Sequence, residues 1–196
     1  MKKTALLAWI IACGFPFSAM AQEKSFAQKL SDAAISLTKQ RVTYDASYFR
    51  IAYPGGDIPA GRGVCTDVVI RAYRNLDVDL QKEVHEDMAA HFGKYPKIWG
   101  LKRTDTNIDH RRVPNLMTFF SRQGSSLKVS ENPSDYLPGD IVTWVLDNGL
   151  AHIGLVVDKK SRDGKRPLIV HNIGQGQNLA DCLFSFQITG HYRYEK

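Results

Sequence analysis

Apolar residues recur every three or four positions through Phe26, Leu30, Ala33, Ala34 and Leu37. That spacing predicts an amphipathic helix from Glu23 to about Arg41. A second apolar stripe runs through Cys65, Val68, Val69, Ala72 and Leu76 with Arg71 and Arg74 off it, so a helix is expected to begin at Cys65. A third is expected from Leu80 to about Phe92, stopped by Gly93 ahead of Tyr95-Pro96, and a short fourth from Asn115 to Arg122, closed by Gly124. After Pro138-Gly139 the period changes from near four to two. DIVTWVL, HIGLVVD, RPLIVHN, FSFQI and HYRY then read as strands, with KKSRDGKR as a charged hairpin connection. YFRIAY (Tyr48 to Tyr53) reads as extended and PGGDIPAGRG as a loop, while residues 94–114 form a long polar connection of the kind that carries function or moves. Helices first and a meander afterwards define an α+β domain, its N-terminal helices packed on one face of an antiparallel sheet of four to five strands.

The first residues stand apart from that pattern. Lys2 and Lys3 precede the apolar run ALLAWIIACGF, and Ala19-Met20-Ala21 is an A-x-A cleavage site. Residues 1–21 therefore read as a secretory signal peptide and 22–196 as a single exported domain, placed in the periplasm. Ile10-Ile11-Ala12-Cys13 competes as a lipoprotein signal, but the apolar run before Cys13 is short for one. Removing the leader takes two lysines and no acids, which lowers the formal charge from +6 to +4. For an exported protein this balance points to an anionic envelope, with peptidoglycan or its peptide fragments as partner, rather than to nucleic acid. No later apolar run reaches membrane-spanning length, and a monomer is expected.

Cys65 and Cys182 remain after processing. In an oxidising compartment they can pair as a disulfide, and either can be a packed thiol. Cys65 has a further option. A thiol at a helix N-terminus meets unpaired N–H groups and the positive end of the helix dipole, so its pKa is expected to fall if it is partly exposed. Two histidines suit the role of base. His152 opens HIGLVVD on the face opposite Ile153, Leu155 and Val157, and His171 ends PLIVH on the face of Ile169. If the two strands pair so that Val157 faces Arg166, His152 lies directly opposite His171; a slip of two residues still leaves them neighbours, and a slip of one separates them.

A cysteine opening a helix after a Gly-rich loop, followed by PGDIV, HIGLVVD and a strand ending in His, resembles the papain-like cell-wall peptidases of the NlpC and CHAP type. GVCTDVVIRAYR, NIDHRRVPNL, VHNIG and GHYRY further resemble a family of exported bacterial proteins known only as a domain of unknown function. The resemblance implies a papain-like core in which Cys65 is the nucleophile, His152 the general base and then acid, and His171 (alternatively Asn172) the residue orienting it. The implied activity is a cysteine amidohydrolase or peptidase that cleaves amide bonds in peptidoglycan stem peptides through a thioester, with no cofactor. A silent envelope protein binding glycan or peptide, and an acyltransferase, are the other classes open to such a chain. One departure stands out: Thr66-Asp67 follow the cysteine where the resembled peptidases carry small residues, and an acid there opposes thiolate formation.

Asp109, His110 and Arg111, with Arg112, crowd the centre of NIDHRRVPN, and are expected either as a solvated loop or as a substrate wall in which arginine clamps a carboxylate. Asp57 and Arg62, in the loop before Cys65, are weaker candidates of the same kind. His85 and His91 are six residues apart, on different helix faces, so a metal site is not expected there.

Overall fold

The computed structural model describes residues 23–196, and the signal peptide read over 1–21 lies outside them. Helix α1 spans Phe26–Leu37 and opens with a capping box: Ser25 Oγ accepts the Gln28 N–H while the Gln28 side chain accepts the Ser25 N–H. It stops at the end of its apolar stripe, before the exposed Lys39, Gln40 and Arg41. Two short strands, β1 (Thr43–Tyr44) and β2 (Arg62–Gly63), pair in parallel and bring the glycine-rich loop alongside the chain that follows α1. Helices α2 (Cys65–Arg74), α3 (Leu80–Ala90) and α4 (Val113–Arg122) follow. α4 starts two residues earlier than its apolar pattern indicates, because Pro114 fits the first turn, where no N–H is needed. YFRIAY forms no strand.

The sheet has six strands rather than four or five, all antiparallel, in the order β3–β8–β4–β5–β6–β7. β4 is Ile141–Val145, β5 Ala151–Lys160 and β6 Pro167–Asn172. FSFQI and HYRY fall in and around one strand, β8 (Gln187–Tyr192), and the added members are β3 (Ser126–Leu127) and β7 (Gln177–Ala180). Both are short and polar, so neither shows two-residue alternation. One sheet face (Ile141, Ile153, Leu155, Val157, Val170, Tyr192) packs on the helices with Val68, Val69, Leu116 and Phe120. The other (Val142, Trp144, Val156, Ile169) is covered by Tyr136 and Leu183 from the loops. The polar connection 94–114 contains a 3-10 turn, Asp109–Arg111, whose three side chains are buried.

The pairing of β5 with β6 takes the slip of two residues among the registers that the sequence leaves open. Val157 faces Leu168 and Val156 faces Ile169, two residues away from the alignment that sets Val157 against Arg166. Between the Val157–Leu168 and Lys160–Pro167 pairs, β5 advances three residues and β6 only one. The two extra residues form an irregularity beside the Ser161–Gly164 turn, where Gly164 donates to the Ser161 carbonyl.

Candidate active site

Cys65 is the first residue of α2, beside the start of the interior strand β5, and is 6 % exposed. The backbone N–H groups of Ile153, Thr66 and Cys65 itself lie near its sulfur and act to lower its pKa. Those groups favour thiolate, yet burial outweighs them and pushes the thiol up to about 11, with the Asp67 carboxylate adding to the rise. The depressed pKa expected for an exposed thiol at a helix start is therefore not what the folded chain has. At pH 8 a thiol of pKa near 11 is ionised about two hundredfold less than a free one near 8.5. Iodoacetamide labelling of Cys65, read by mass spectrometry, should accordingly be slow at pH 8 and still climbing at pH 10; a plateau near neutrality would contradict this.

The slip of two residues keeps the histidines together. His152 Nε2 lies 2.8 Å from His171 Nδ1, with both rings buried. Glycine makes the approach possible: a Cβ on Gly154 would stand 3.2 Å from the His171 Cβ and 2.7 Å from Ile169 Cγ2. Trp144, paired with His152 across β4 and β5, sets its ring 5.9 Å from the imidazole. Among the described residues no hydrogen bond joins either ring to Cys65; the thiol instead meets the strand at Ile153, the residue after His152. Asn172, the alternative orienting residue, donates to the Gly63 carbonyl and so anchors the loop that delivers Cys65.

Burial, and then the neighbouring His171, lower His152 to about 3, and burial lowers His171. His110 is also lowered to about 3, by burial and then by Arg111 and Arg74. All three rings stay neutral in the folded chain at pH values where unfolded histidines, near 6.5, take up protons. The unfolded state then binds more protons, so stability is lost as pH falls below about 6.5 and continues to fall toward 3. By pH 5 the loss is about 2 kcal/mol each for His152 and His110. The urea midpoint at pH 5 should lie well below that at pH 7.5, and equal midpoints would refute the linkage.

The other named residues turn inward or pair with each other. Arg111 donates through Nε and Nη2 to Asp67 at 2.9 and 3.1 Å, and further to the carbonyls of Ser47 and Asp45. Asp67 also accepts the Val64 N–H at the start of α2. Asp109 accepts the Asp105 N–H, and His110 is buried with Nδ1 unpartnered. Asp57 pairs with Arg71 and Arg74, and Arg62 with Asp45. Of these residues Arg111 borders the cleft at Cys65, with its guanidinium committed to Asp67.

That cleft has a volume of about 520 Å³ and is walled by Val64, Trp99, Ile108, Arg112 and Leu150 as well as Cys65. Arg112 stacks over Trp99 at 4.2 Å. Arg112 is the member of the expected 109–112 substrate wall that, with Arg111, lines this cleft. Trp99 and Leu150 were not singled out as site residues from the sequence; an isolated tryptophan in a polar connection was the one available signal. A larger depression of about 710 Å³, bounded by Arg50, His85, Lys102, Arg103 and Asp105, includes none of Cys65, His152, His171 and Cys182. Among the described residues no group of three or more His, Cys, Asp or Glu is arranged to hold a metal ion, and no helix is long and apolar enough to cross a membrane.

Helices carrying a thiol at the start of α2, laid on an antiparallel sheet with an imidazole pair on adjacent strands, give this α+β chain a papain-like fold. The chain belongs to the family described as "Domain of unknown function (DUF1287)", which matches residues 31–194. It is 58 % identical over 165 residues to the uncharacterized protein YijF of Escherichia coli K12, covering 84 % of this chain and 80 % of that one. Crystal structures of an N-acetylmuramoyl-L-alanine amidase from Bacteroides uniformis are similar in fold, with a TM-score of 0.51 at 14 % identity over 87 % of this chain and 99 % of that one. NlpC1 of Trichomonas vaginalis aligns at a TM-score of 0.43 and 19 % identity over 88 % of this chain, which spans about half (48 %) of that protein's length.

Proposed function

We propose that this protein is an exported cysteine amidohydrolase or peptidase that cleaves amide bonds in peptidoglycan stem peptides, with Cys65 as nucleophile, His152 as base and acid, and His171 orienting His152. The reading covers residues 22–196 as one periplasmic domain. The observation that carries it is Cys65 on the wall of a cleft, beside the start of β5, the strand that carries His152 and pairs with the β6 strand carrying His171. The fold shared with the Bacteroides amidase supports the substrate class.

In this reading the thiol is neutral until substrate binds. His152 takes the thiol proton as sulfur attacks the amide carbonyl, and contacts between nucleophile and base that are loose in the free enzyme tighten at that point. The N–H groups at Cys65 and Thr66 stabilise the resulting oxyanion. Collapse breaks the C–N bond, and the imidazolium gives its proton to the departing amine, leaving a thioester on Cys65. Water then attacks that thioester, its proton passes to His152, and the carboxylic acid leaves as the thiol is restored. Of the other candidates Arg111 shapes the cleft wall with its charge committed to Asp67, while Asp109, His110, Asp57 and Arg62 lie outside the lining and act by holding the surrounding segments in place.

One observation favours a second outcome of the same thioester. The cleft is lined largely by apolar groups, among them Ile98, Trp99, Ile108, Val113 and Leu150, which suits an acyl group passed to an amine or alcohol. Digestion of purified sacculi by the mature protein, followed by mass spectrometry of the soluble products, tests both. Products heavier by one water per cleaved amide support hydrolysis, products joined to an added amine support transfer, and intact sacculi refute the peptidoglycan reading.

A further inference from the structure

Cys182 lies just beyond β7, in the segment that covers the loop side of the sheet, with its Sγ 3.8 Å from His171 Nε2. It is a free thiol, as is Cys65, so the two form no disulfide. The polar contacts therefore run as a chain: Cys182 Sγ, His171 Nε2, His171 Nδ1, His152 Nε2. A neutral imidazole carries one proton, so in two imidazoles joined by a single hydrogen bond the position of one proton dictates the other. In one arrangement His171 Nε2–H points at sulfur, His171 Nδ1 accepts from His152 Nε2–H, and His152 Nδ1 is left bare. In the reverse arrangement the Cys182 S–H donates to His171, each ring proton sits on the opposite nitrogen, and His152 Nδ1 carries a hydrogen.

We infer that Cys182 is a positioning residue that sets the tautomers of the imidazole pair, its sulfur accepting His171 Nε2–H so that the free nitrogen of His152 is unprotonated. This deepens the proposed function and rests on it, because a base at His152 requires that bare nitrogen. Three observations place Cys182 in this role rather than that of nucleophile. It lies outside the cleft at Cys65, and no backbone N–H group favours its thiolate. Its partner is His171, the ring that the proposed function assigns to orienting His152, and Sγ is the one side-chain partner of His171 Nε2 among the described residues. Burial, and then Asp181, raise its thiol to about 12, so the sulfur stays neutral and does not draw a second proton onto His171.

The test is a long-range ¹H–¹⁵N correlation spectrum of the histidine-labelled protein at neutral pH, which distinguishes protonated from bare ring nitrogens. The wild type is expected to show both rings protonated at Nε2. Protonation of His171 at Nδ1 would overturn the inference without a variant being needed. In Cys182→Ala the His171 nitrogens should move toward a mixture of tautomers, with kcat falling about two- to tenfold at unchanged KM, and Cys182→Ser should restore both. Unchanged tautomers and kcat in Cys182→Ala would mean that the thiol only fills space. Absence of any hydrolysis by the wild type counts against the proposed function, whereas the tautomers are read from the spectrum whether or not the protein turns over.

Discussion

Cys65→Ala should abolish the cleavage of purified sacculi, with a loss of at least about a thousandfold in kcat, because no other group supplies the thioester. The substitution removes one sulfur from a side chain that is already 6 % exposed in the core, so the fold should survive at a cost of about 1 kcal/mol. His152→Ala should approach the same loss. Burial keeps the thiol protonated, with a pKa of about 11, and without a base the nucleophile forms only at high pH. His171→Ala should cost less, since it removes the partner 2.8 Å from His152 and not a group that exchanges protons with the substrate. The graded order, with Cys65 and His152 far below His171, is the signature to look for in release of soluble fragments. Full activity in Cys65→Ala would remove the cysteine mechanism, leaving a binding role for the cleft.

Arg111→Leu is the substitution expected to damage stability most. Arg111 and Asp67 are both buried, joined by two hydrogen bonds, and Arg111 also ties down the carbonyls of Ser47 and Asp45. Removing the guanidinium leaves an uncompensated carboxylate in the first turn of α2, two residues from Cys65. Breaking such a pair from one side costs about 3–5 kcal/mol, or a fall in Tm of about 6–20 °C for a domain of this size. Lysine should not rescue it, because a single ammonium cannot reproduce the fork. Replacing Asp67 and Arg111 together with apolar residues should recover much of the loss, which calorimetry of the single and double variants would show. A drop below about 1 kcal/mol in Arg111→Leu would mean that the pair is better solvated than its burial indicates.

The same pair explains why residues 107–112 were legible as a cluster but not as a role. Asp109, His110 and Arg111 stand together in the sequence with the density of a binding loop, and a row of charges looks alike whether it faces solvent or the interior. The 3-10 turn at Asp109–Arg111 rotates them inward, where Arg111 meets Asp67, 44 residues earlier in the chain. The two cysteines raised a comparable ambiguity. Their number and compartment allow a disulfide, whereas the fold sets one thiol at the helix start and the other against His171.

Local pattern was sufficient for the helices and the longer strands, because their apolar periodicity is imposed by the faces they bury. It was also sufficient for the motif order of Cys65, His152 and His171, which amount to short blocks of residues read in sequence. It was insufficient for β3 and β7, which pair through backbone groups and carry little apolar alternation, and for the cleft walls, which come from segments distant in the chain. The β5–β6 register belongs to this second class. Sequence restricts it to the even slips that keep both histidines on one face, and the irregularity between Val157 and Lys160 selects one of them. The pKa of Cys65 does too: a helix start lowers a thiol that water can reach, and the packing that buries this one is a property of the whole domain.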